Sequence, residues 1–340
     1  MDIQSALATL AEGHDLSQDD TRDVFMTVMS GEASPAQIGG LLMALRVKGE
    51  TAEEIAGAAQ TMRALSTKVA VDVPYLVDTC GTGGSGAKLF NISTAAAFVA
   101  AAAGAKVAKH GNRKMTSASG SADVLEAAGV NLNLTPEQIA HCIREVGVGF
   151  LFAQAHHSAM RFAAPVRQEL KVRTMMNLLG PLTNPAGAKR QVIGVFSPVW
   201  QRRMAEVARL LGSEHVLVVH SNGLDEIALD GPSWVVELKH GEITEYEIDP
   251  EDFGLTTRST EDLRAGTIEA SLALVRTSIT RPDSAAADIV CLNAGAAIYA
   301  AGVATTLANG VVMAQDAIAS GLAEERLAEL VRITGLMGES

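Results

Sequence analysis

The stretch Pro74–Arg113, PYLVDTCGTGGSGAKLFNISTAAAFVAAAAGAKVAKHGNR, decides the fold of this chain. Leu76–Thr79 has the pattern of a strand that runs into glycine-rich turns, and a helix is predicted from Ser93 to about Ala103. Lys106–Lys109 then has the pattern of a second short strand, which enters the loop KHGNR. Strand, helix and strand in this order predict two parallel strands joined by a right-handed crossover.

The same alternation continues downstream, and the C-terminal third returns to helix. Further strands are predicted at Val148–Phe152, Gln191–Phe196 and Val216–His220, with a hairpin around His240-Gly241. Helices are predicted near Ala122–Ala128, Pro136–Val146, Trp200–Leu211, from Asn293 to Ala301, and Glu324–Ile333. This pattern predicts a large α/β domain with a mostly parallel central sheet, formed by residues 73–156 and 183–340.

Residues 1–72 have helix start and stop signals and no strand pattern. Ser17, Ser34-Pro35 and Thr51 each sit where a helix cap is expected, and Gly31 and Gly49 sit where helices end. A helical insertion around 157–182, with Pro165 as an expected break, interrupts the α/β alternation. We expect it to join the N-terminal helices in space, as one small helical domain through which the chain forms a homodimer.

Composition excludes several classes of protein. Among 340 residues, 48% are hydrophobic, and the formal net charge is −12. An acidic chain is not expected to bind nucleic acid, which requires clustered cations. The three cysteines are scattered without metal-site spacing, and the N-terminus lacks the pattern of a signal peptide. No apolar tract is long enough for a membrane span. These features predict a cytoplasmic protein that captures any anionic substrate in a local positive pocket.

The glycine-rich turn and the following helix start predict a phosphate site. Glycines lack a Cβ, so their backbone N–H groups can approach an anion closely, and helix N-termini favour phosphate. The residues concerned are Gly81, Gly83 and Gly84 in the turn and Asn91, Ser93 and Thr94 at the helix start. A tight connection without a ligand, and simple helix capping, are the alternative interpretations. The spacing matches neither the dinucleotide fingerprint nor the P-loop.

The loop KHGNR carries the most specific signal. Lys109 is suited to neutralising a diphosphate, His110 lies beside it, and Asn112 is suited to orienting a ring substituent. A hydroxyl-rich helix start that contains Ser117 and Ser121 follows closely and adds phosphate-binding capacity. We therefore expect a phosphorylated sugar to bind here.

Two further groups of side chains complete the candidate site. Asp225 and Glu226 follow a predicted strand and turn, and Mg²⁺ typically takes one or two carboxylates together with substrate phosphates. Without the phosphate motifs, this pair would be interpreted as a solvated surface. On the insertion, Arg167 is suited to pairing with a substrate carboxylate, and one of the adjacent histidines His156 and His157 is expected to face the site.

Together these segments resemble the anthranilate phosphoribosyltransferase family over nearly the whole chain. The motifs GTGG, NIST, KHGNR, SGSADVLEA, HHSAM, PVRQEL, NLLGPLTNP, GLDE and LNAGAA stand in the family's order. The resemblance implies a two-domain fold like that of nucleoside phosphorylases. It also implies Mg²⁺-dependent transfer of phosphoribosyl from phosphoribosyl pyrophosphate to the amino group of anthranilate, in tryptophan biosynthesis.

The resemblance also implies roles for single residues. Phosphoribosyl pyrophosphate is expected at Gly81, Gly83, Gly84, Ser85, Asn91, Ser93, Thr94, Lys109 and Ser121. Anthranilate is expected at Gly81, Asn112, His157, Arg167 and Pro181, with His110 lining the site, and Mg²⁺ at Ser93, Asp225 and Glu226. No general base is assigned; Lys109, His110 and Asn112 are expected to position substrates and stabilise charge. Ser85 departs from the family, whose glycine loop commonly continues with Asp, so a carboxylate is missing there.

Two other functions remain as alternatives. A pyrimidine-nucleoside phosphorylase has a similar two-domain architecture and also handles a pentose and an anion, but its loops place serine and lysine differently. A non-catalytic relative that binds a ligand or nucleic acid is disfavoured by the net negative charge and by Asp225-Glu226.

Overall fold

The structure is a computed structural model that describes residues 1–83, 86–113 and 119–338. Its helices in chain order are α1 Ile3–Ala11, α2 Gln18–Met29, α3 Pro35–Lys48, α4 Ala52–Leu65, α5 Ile92–Ala102, α6 Ser121–Ala128, α7 Pro136–Glu145, α8 Ala153–His156, α9 Ala164–Leu170, α10 Leu179–Leu182, α11 Val199–Leu210, α12 Ile268–Thr280, α13 Ala285–Ala301, α14 Leu307–Ala319 and α15 Leu322–Met337. Short 3₁₀ turns lie at Ser158–Phe162, Met175–Asn177, Pro250–Phe253 and Glu261–Leu263.

A single sheet runs through the α/β part of the molecule. Its strands are β1 Leu76–Gly81, β2 Lys106–Gly111, β3 Val148–Phe152, β4 Arg190–Gly194, β5 His215–His220, β6 Ser233–Lys239 and β7 Glu242–Ile248. The spatial order is β3-β2-β1-β4-β5-β6-β7. The pairs among β1 to β5 are parallel, whereas β5–β6 and β6–β7 are antiparallel. The mostly parallel sheet predicted from the sequence is confirmed.

Each face of the sheet has its own apolar core because side chains alternate along a strand. On β5, Leu217 and Val219 face a core formed with the apolar helices α5 and α13. Val216 and Val218 face the opposite core, which includes α11 and the N-terminal helices. Both layers of helices thus cover the sheet and leave the carboxyl ends of its strands as the place where side chains can gather.

The N-terminal helices follow their sequence signals closely. Ser34 and Thr51 form capping boxes, Ser17 caps α2, and α3 ends at Gly49. Ala163 and Val166 from the insertion share the core of these helices, and α9 packs against α3. A contiguous core therefore joins α1–α4 with the insertion and continues onto one face of the sheet.

Several element boundaries differ from the sequence prediction. Helix α13 begins at Ala285, eight residues before Asn293, because Ser284 caps it and Asn293 lies buried in its interior. Pro165 does not break a helix; it lies in the first turn of α9, where a proline fits because no intrahelical N–H is needed. Helices α1, α12 and α14 lie in regions predicted to be helical, but they were not predicted individually.

Within the described residues, no single helix combines the length and the apolar composition needed to cross a membrane. One bent pair, α12 and α13 at 76°, meets the criterion by length and composition only.

Candidate active site

The sheet forks between β1 and β2. In the described part of the chain, the register of this strand pair ends at Val77 and Val107. Beyond that point β1 continues to pair with β4 as far as Gly81, and β2 continues to pair with β3 as far as Gly111. We call the two diverging halves the β1–β4 limb and the β2–β3 limb. The opening between them lies at the carboxyl ends of parallel strands, where α/β folds bind their ligands.

Two paired glycines on the β1–β4 limb make room for the acidic pair. Gly81 and Gly194 are register partners at the ends of β1 and β4. A Cβ on Gly81 would lie 2.7 Å from Asp225 Oδ2, and a Cβ on Gly194 would lie 1.7 Å from the Asp225 carbonyl oxygen. Both contacts are closer than real Cβ atoms tolerate, so any larger residue would displace Asp225. The glycines therefore position a carboxylate against the strand ends.

The loop that carries Asp225 and Glu226 is fixed by hydrogen bonds from three directions. The Gly83 N–H donates to Asp225 Oδ2 at 3.0 Å, and Ser221 Oγ donates to the Glu226 carbonyl at 2.9 Å. Asn293, buried in α13, accepts from the Ile227 N–H and donates to the Ile227 carbonyl, both at 2.9 Å. Hydrogen bonds thus fix the Asp225 carboxylate and the backbone beside Glu226, and the Gly83 amide donates to a carboxylate.

Lys109 links the two limbs. Its side chain leaves β2, and its ammonium donates to the Thr79 carbonyl on β1 and to Ser93 Oγ at 3.2 Å. The residue is only 2% exposed, so its charge acts in a poorly solvated place. Burial, and next the adjacent Asp225, raise the pKa of Glu226, whereas Lys109 and the Ser93 backbone lower it. One ammonium, two carboxylates and a hydroxyl therefore form one electrostatic cluster.

This cluster fits a divalent cation with hard oxygen preferences. Asp225 and Glu226 are half-buried, and a small cavity of about 10 Å³ lies against Glu226 and Ser93, room for roughly one water molecule. No group of three or more His, Cys, Asp or Glu side chains able to hold a metal occurs in the described ranges. Two carboxylates with a hydroxyl match Mg²⁺, which takes one or two carboxylates and completes its shell with water and phosphate oxygens.

The start of α5 is organised by hydrogen bonds other than side-chain capping. Asn91 precedes the helix without a side-chain cap bond. Its Oδ1 accepts from Ser119 Oγ and from Ser271 Oγ, both at 2.7 Å, which leaves its NH₂ group as the side-chain donor. Thr94 Oγ1 is buried and has no hydrogen-bond partner among the described residues. The simple capping interpretation of Asn91 is therefore wrong.

Two buried histidines face each other on the β2–β3 limb. The ring centroids of His110 and His157 lie 5.2 Å apart, and His110 Nδ1 lies 3.2 Å from the Gly180 carbonyl oxygen. Burial lowers the pKa of His110 to about 4 and that of His157 to about 3, and neighbouring histidine and lysine side chains add to both shifts. Both imidazoles are therefore neutral near pH 7. His110 Nε2 and both ring nitrogens of His157 make no hydrogen bond of normal geometry within the described residues.

His110 also corrects a boundary. Lys109, His110 and Gly111 complete strand β2 and do not belong to a loop, because β3 continues to pair with them. The adjacent histidine His156 is buried as well, but it turns away from the site, and its Nδ1 lies 2.8 Å from the Thr67 carbonyl oxygen. One histidine of the pair thus faces His110, and its predicted contact with a substrate stays a prediction.

The residues after β2 differ in where they lie: Asn112 is beside the start of α6, and Arg113 is at the surface. The Asn112 carbonyl accepts from the Ala122 N–H in the first turn of α6, so Asn112 lies beside the start of that helix. Ser121 is the first residue of α6, and a Cβ on Gly111 would lie 3.1 Å from the Ser121 Cβ. Arg113 instead forms a bidentate pair with Glu126 on the surface. Arg113 therefore stabilises α6 and does not face the opening.

Arg167 and Pro181 lie on the insertion. Arg167 is partly buried, which lowers its pKa, and no carboxylate of the described residues forms an ion pair with it. Pro181 is buried in the short helix α10, and its carbonyl accepts from Gln191 Nε2 at 2.7 Å. Gly180, next to Pro181, is the residue whose carbonyl meets His110. The turn is thereby tied to both limbs of the fork.

Comparison with known proteins assigns the chain to a family. Residues 73–324 match the α/β domain of a glycosyl transferase family, and residues 4–66 match the helical bundle domain of the same family. The anthranilate phosphoribosyltransferase of Teredinibacter turnerae is 57% identical over 99% of this chain and all of its own length.

The chain belongs to the anthranilate phosphoribosyltransferase family.

Solved structures agree with this assignment. The crystal structure of the anthranilate phosphoribosyltransferase from Thermus thermophilus is 46% identical, covers 97% of this chain and 99% of its own, and superimposes with a TM-score of 0.91. The enzyme from Saccharomyces cerevisiae, solved in complex with PRPP (phosphoribosyl pyrophosphate) and Mg, is 25% identical over 98% of both chains with a TM-score of 0.88. The helical-plus-α/β fold class predicted from the sequence is thus confirmed.

The residues predicted from the sequence fall into two groups around the fork. Gly81, Gly83, Ser93, Asp225 and Glu226 cluster on the β1–β4 limb with Lys109. His110, His157 and the Gly180-Pro181 turn cluster on the β2–β3 limb, with Asn112 and Ser121 at its end. Gly84, Ser85 and Ser117 lie outside the described residues. The individual roles given to these residues remain predictions.

Three residues that hold site residues in place were missed. Asp78 accepts from the His110 N–H at 3.0 Å, Asn293 binds the backbone beside Glu226, and Ser271 bonds to Asn91. Asn293 belongs to the motif LNAGAA, but no role was predicted for that motif. Asp78 lay inside a predicted strand, and Ser271 lay in a helix that was not predicted, so local pattern offered nothing for either.

Proposed function

We propose that this enzyme transfers the phosphoribosyl group of 5-phosphoribosyl 1-pyrophosphate to the amino group of anthranilate. The products are pyrophosphate and N-(5-phosphoribosyl)anthranilate, an intermediate of tryptophan biosynthesis. The observation that carries the proposal is the fork itself, which separates a cationic, carboxylate-containing limb from a limb of neutral imidazoles. A relative named anthranilate phosphoribosyltransferase is 57% identical to this chain over its full length, which supports the proposal.

The β1–β4 limb supplies the diphosphate side. As the bond from C1 of the ribose to the diphosphate oxygen breaks, the electron pair leaves with that oxygen and negative charge grows on the leaving group. The Lys109 ammonium, already desolvated and fixed by Thr79 and Ser93, stabilises this charge without reorganisation. The Asn91 NH₂ group and the N-terminus of α5 donate further hydrogen bonds to phosphate oxygens.

Ser93, Asp225 and Glu226 are proposed to hold Mg²⁺. When bound, Mg²⁺ neutralises diphosphate charge at the point where the leaving group forms. The chain itself keeps both carboxylates within reach through the Gly83 amide, the paired glycines and Asn293. The yeast relative, with which PRPP and Mg were solved together, supports this assignment.

The β2–β3 limb is proposed to bind anthranilate. Arg167 pairs with the carboxylate of the acceptor, since a guanidinium without an internal carboxylate partner in the described chain can form two parallel hydrogen bonds to it. His110, Asn112 and His157 orient the ring and the amine, and Pro181 forms part of the apolar wall. Gly81, the last residue of β1, is proposed to lie between the two substrates and to contact both.

No general base is proposed. An aromatic amine is neutral near pH 7, and the one proton that the nitrogen loses as the C1–N bond forms passes to the departing pyrophosphate or to water. His110 and His157, with pKa values of about 4 and about 3, are weak bases and act as neutral hydrogen-bonding groups. Alignment of the amine with C1 and stabilisation of the leaving group are the main contributions expected of the protein.

The decisive test combines the purified protein with phosphoribosyl pyrophosphate, Mg²⁺ and anthranilate. We expect loss of anthranilate fluorescence with one equivalent of pyrophosphate released, both abolished by chelation of Mg²⁺. A reaction with phosphate and thymidine or uridine in place of these substrates would instead identify a nucleoside phosphorylase. A folded protein that binds but turns over neither set would identify a non-catalytic relative.

We also propose a cytoplasmic homodimer assembled through α1–α4. In each chain, residues 1–72 and 157–182 act as a helical domain, and residues 73–156 and 183–340 act as an α/β domain. The core shared by α1–α4 and the insertion supports this division. Light scattering after gel filtration is expected to give twice the chain mass of 35.4 kDa. A monomer at micromolar concentration would contradict the assembly.

A further inference from the structure

The fork breaks a ladder that could have continued. In the paired region the Lys106 N–H donates to the Tyr75 carbonyl. Parallel strands repeat this pattern every second residue. Continued pairing would therefore join the His110 N–H to the Thr79 carbonyl and would use the Ala108 carbonyl as an acceptor. The register instead ends at Val77 and Val107. Buried backbone groups need partners, so the groups released by the fork must find them elsewhere.

Side chains take the place of those rungs. The His110 N–H donates to Asp78 Oδ1 at 3.0 Å, and the Thr79 carbonyl accepts from the Lys109 ammonium. The Ala108 carbonyl accepts from Asn184 Nδ2 at 2.8 Å. Asp78 is fully buried, and Asn184 is 4% exposed. Three backbone groups at the fork are therefore satisfied by three side chains of different residues.

The same side chains reach the turn on the acceptor side. Asp78 Oδ2 lies 3.5 Å from Gln191 Nε2, which also donates to the Pro181 carbonyl at 2.7 Å. Asn184 Oδ1 accepts from the Ala186 N–H at 2.9 Å, so this residue fixes the end of the turn that contains Gly180 and Pro181. One buried polar cluster thus connects β1, β2, β4 and the turn. Such clusters specify a unique arrangement when each member finds partners.

We propose that Asp78 and Asn184 are positioning residues that hold β1 and β2 apart, and so set the spacing between the two substrate half-sites. Asp78 replaces a ladder acceptor for His110, and Asn184 replaces a ladder donor for Ala108. Without them the two strands regain the option of pairing directly, which would carry His110 towards Thr79 and displace the Lys109 ammonium from its carbonyl. The inference rests on the proposed transferase function for its kinetic consequence, but not for the fork geometry.

The test compares Asp78→Ala, Asp78→Asn and Asn184→Ala with a matched control, Gln201→Leu. Gln201 is also buried and also donates to two strand carbonyls, those of Val218 at 3.0 Å and Trp234 at 2.6 Å, on strands away from the fork. KM for both substrates, kcat, thermal stability and peptide-resolved hydrogen exchange are measured for each variant. Loss of a hydrogen bond to a charged group is expected to raise KM about tenfold or more.

We expect Asp78→Ala to raise KM for both substrates at least about tenfold and to change hydrogen exchange in peptides covering 107–111. Asp78→Asn retains one acceptor oxygen for His110 and should lie between wild type and Asp78→Ala. Gln201→Leu should lose stability with both KM values unchanged. If Asp78→Ala does not fold, Asp78→Asn and Asn184→Ala must each raise both KM values and change hydrogen exchange at 107–111 more than Gln201→Leu does.

Wild-type KM values in all three fork variants, or exchange changes no larger at 107–111 than in Gln201→Leu, would overturn the proposal. Hydrogen exchange separates this result from failure of the proposed function. A wild-type protein without transferase activity would refute the function, while the exchange comparison would still decide whether Asp78 and Asn184 hold the fork.

Discussion

The two limbs of the fork differ in how completely their polar groups are satisfied by the protein. On the β1–β4 limb, Lys109 has two acceptors, Asp225 accepts from a backbone amide, and Asn91 Oδ1 accepts twice. On the β2–β3 limb, three ring nitrogens of His110 and His157 make no hydrogen bond of normal geometry within the described ranges. Arg167, on the insertion, has no carboxylate partner there. One half-site is organised in advance by the chain, and the other has hydrogen-bonding capacity to offer a ligand.

This difference has a physical basis in the substrates proposed for each limb. A diphosphate carries several charges, and preorganised charges and dipoles stabilise its departure most when they need not move. A small planar acceptor carries one carboxylate and one amine. Buried donors that have no partner in the protein discriminate against molecules that cannot form hydrogen bonds with them. Substitutions on the first limb should therefore affect the binding of phosphoribosyl pyrophosphate or the chemical step, and substitutions on the second should affect acceptor recognition.

Lys109→Ala should have the largest effect. It removes a buried ammonium that bridges the limbs, and we expect kcat/KM for phosphoribosyl pyrophosphate to fall by about 100-fold or more, on the order of 3 kcal/mol. Lys106→Ala is the matched control, since Lys106 lies at the other end of β2 and donates to the Arg144 carbonyl at 2.7 Å. Steady-state kinetics with each substrate varied in turn would check this. Equal losses in the two variants would remove Lys109 from the site.

Arg167→Ala should affect the other limb. Loss of a charge-assisted pair to the acceptor carboxylate, about 1.5–3 kcal/mol, predicts a rise of about tenfold or more in KM for anthranilate. KM for phosphoribosyl pyrophosphate should change much less. Arg161→Ala is the control, because Arg161 lies on the same insertion with its guanidinium over the Phe162 ring at 4.6 Å. A parallel rise in both KM values after Arg167→Ala would show that the limbs are not separate half-sites.

The sequence could predict the residues that carry local signals. Ser34 and Thr51 mark helix starts by capping chemistry, and Gly81 and Asp225 belong to motifs. It could not predict the fork, because the Ala108 carbonyl, just beyond the last paired residues Val77 and Val107, accepts from Asn184, which lies 76 residues away in the chain. Asn293 shows the same limit: it belongs to the motif LNAGAA, but its partner Ile227 is 66 residues distant, and no local pattern indicates that contact.

The pH dependence of stability should report the histidines of the second limb. The pKa of His157 is lowered to about 3 by burial, against an ordinary value near 6.5, so the unfolded chain binds a proton that the folded chain rejects. The neutral His157 imidazole therefore makes its full contribution to the free energy of unfolding above about pH 6.5, and this contribution is lost as the pH falls towards about 3. At about pH 5 the loss is on the order of 2 kcal/mol.

Urea unfolding of wild type and His157→Asn at about pH 7.5 and about pH 5 isolates this contribution, since Asn cannot titrate. Burial raises the pKa values of Glu50, Asp78 and Asp288, which shifts stability in the opposite direction, but these groups are common to both proteins and cancel in the comparison. The variant should lose less stability on acidification than wild type. Identical losses would mean that His157 is not buried as a neutral imidazole.

Ser271→Ala should have the smallest effect and should be confined to the first limb. Ser271 Oγ accepts from the Asn91 N–H at 3.1 Å and donates to Asn91 Oδ1 at 2.7 Å, which fixes the Asn91 amide with its NH₂ group available to phosphate. Loss of this neutral pair, about 1 kcal/mol, predicts a rise of about fivefold in KM for phosphoribosyl pyrophosphate with kcat unchanged. Ser278→Ala is the control, because Ser278 is equally buried on the same helix but donates to Val275. Because Ser271 acts only through Asn91, the double variant with Asn91→Ala should be no worse than Asn91→Ala alone. Additive losses would mean that Ser271 stabilises the fold and does not orient Asn91.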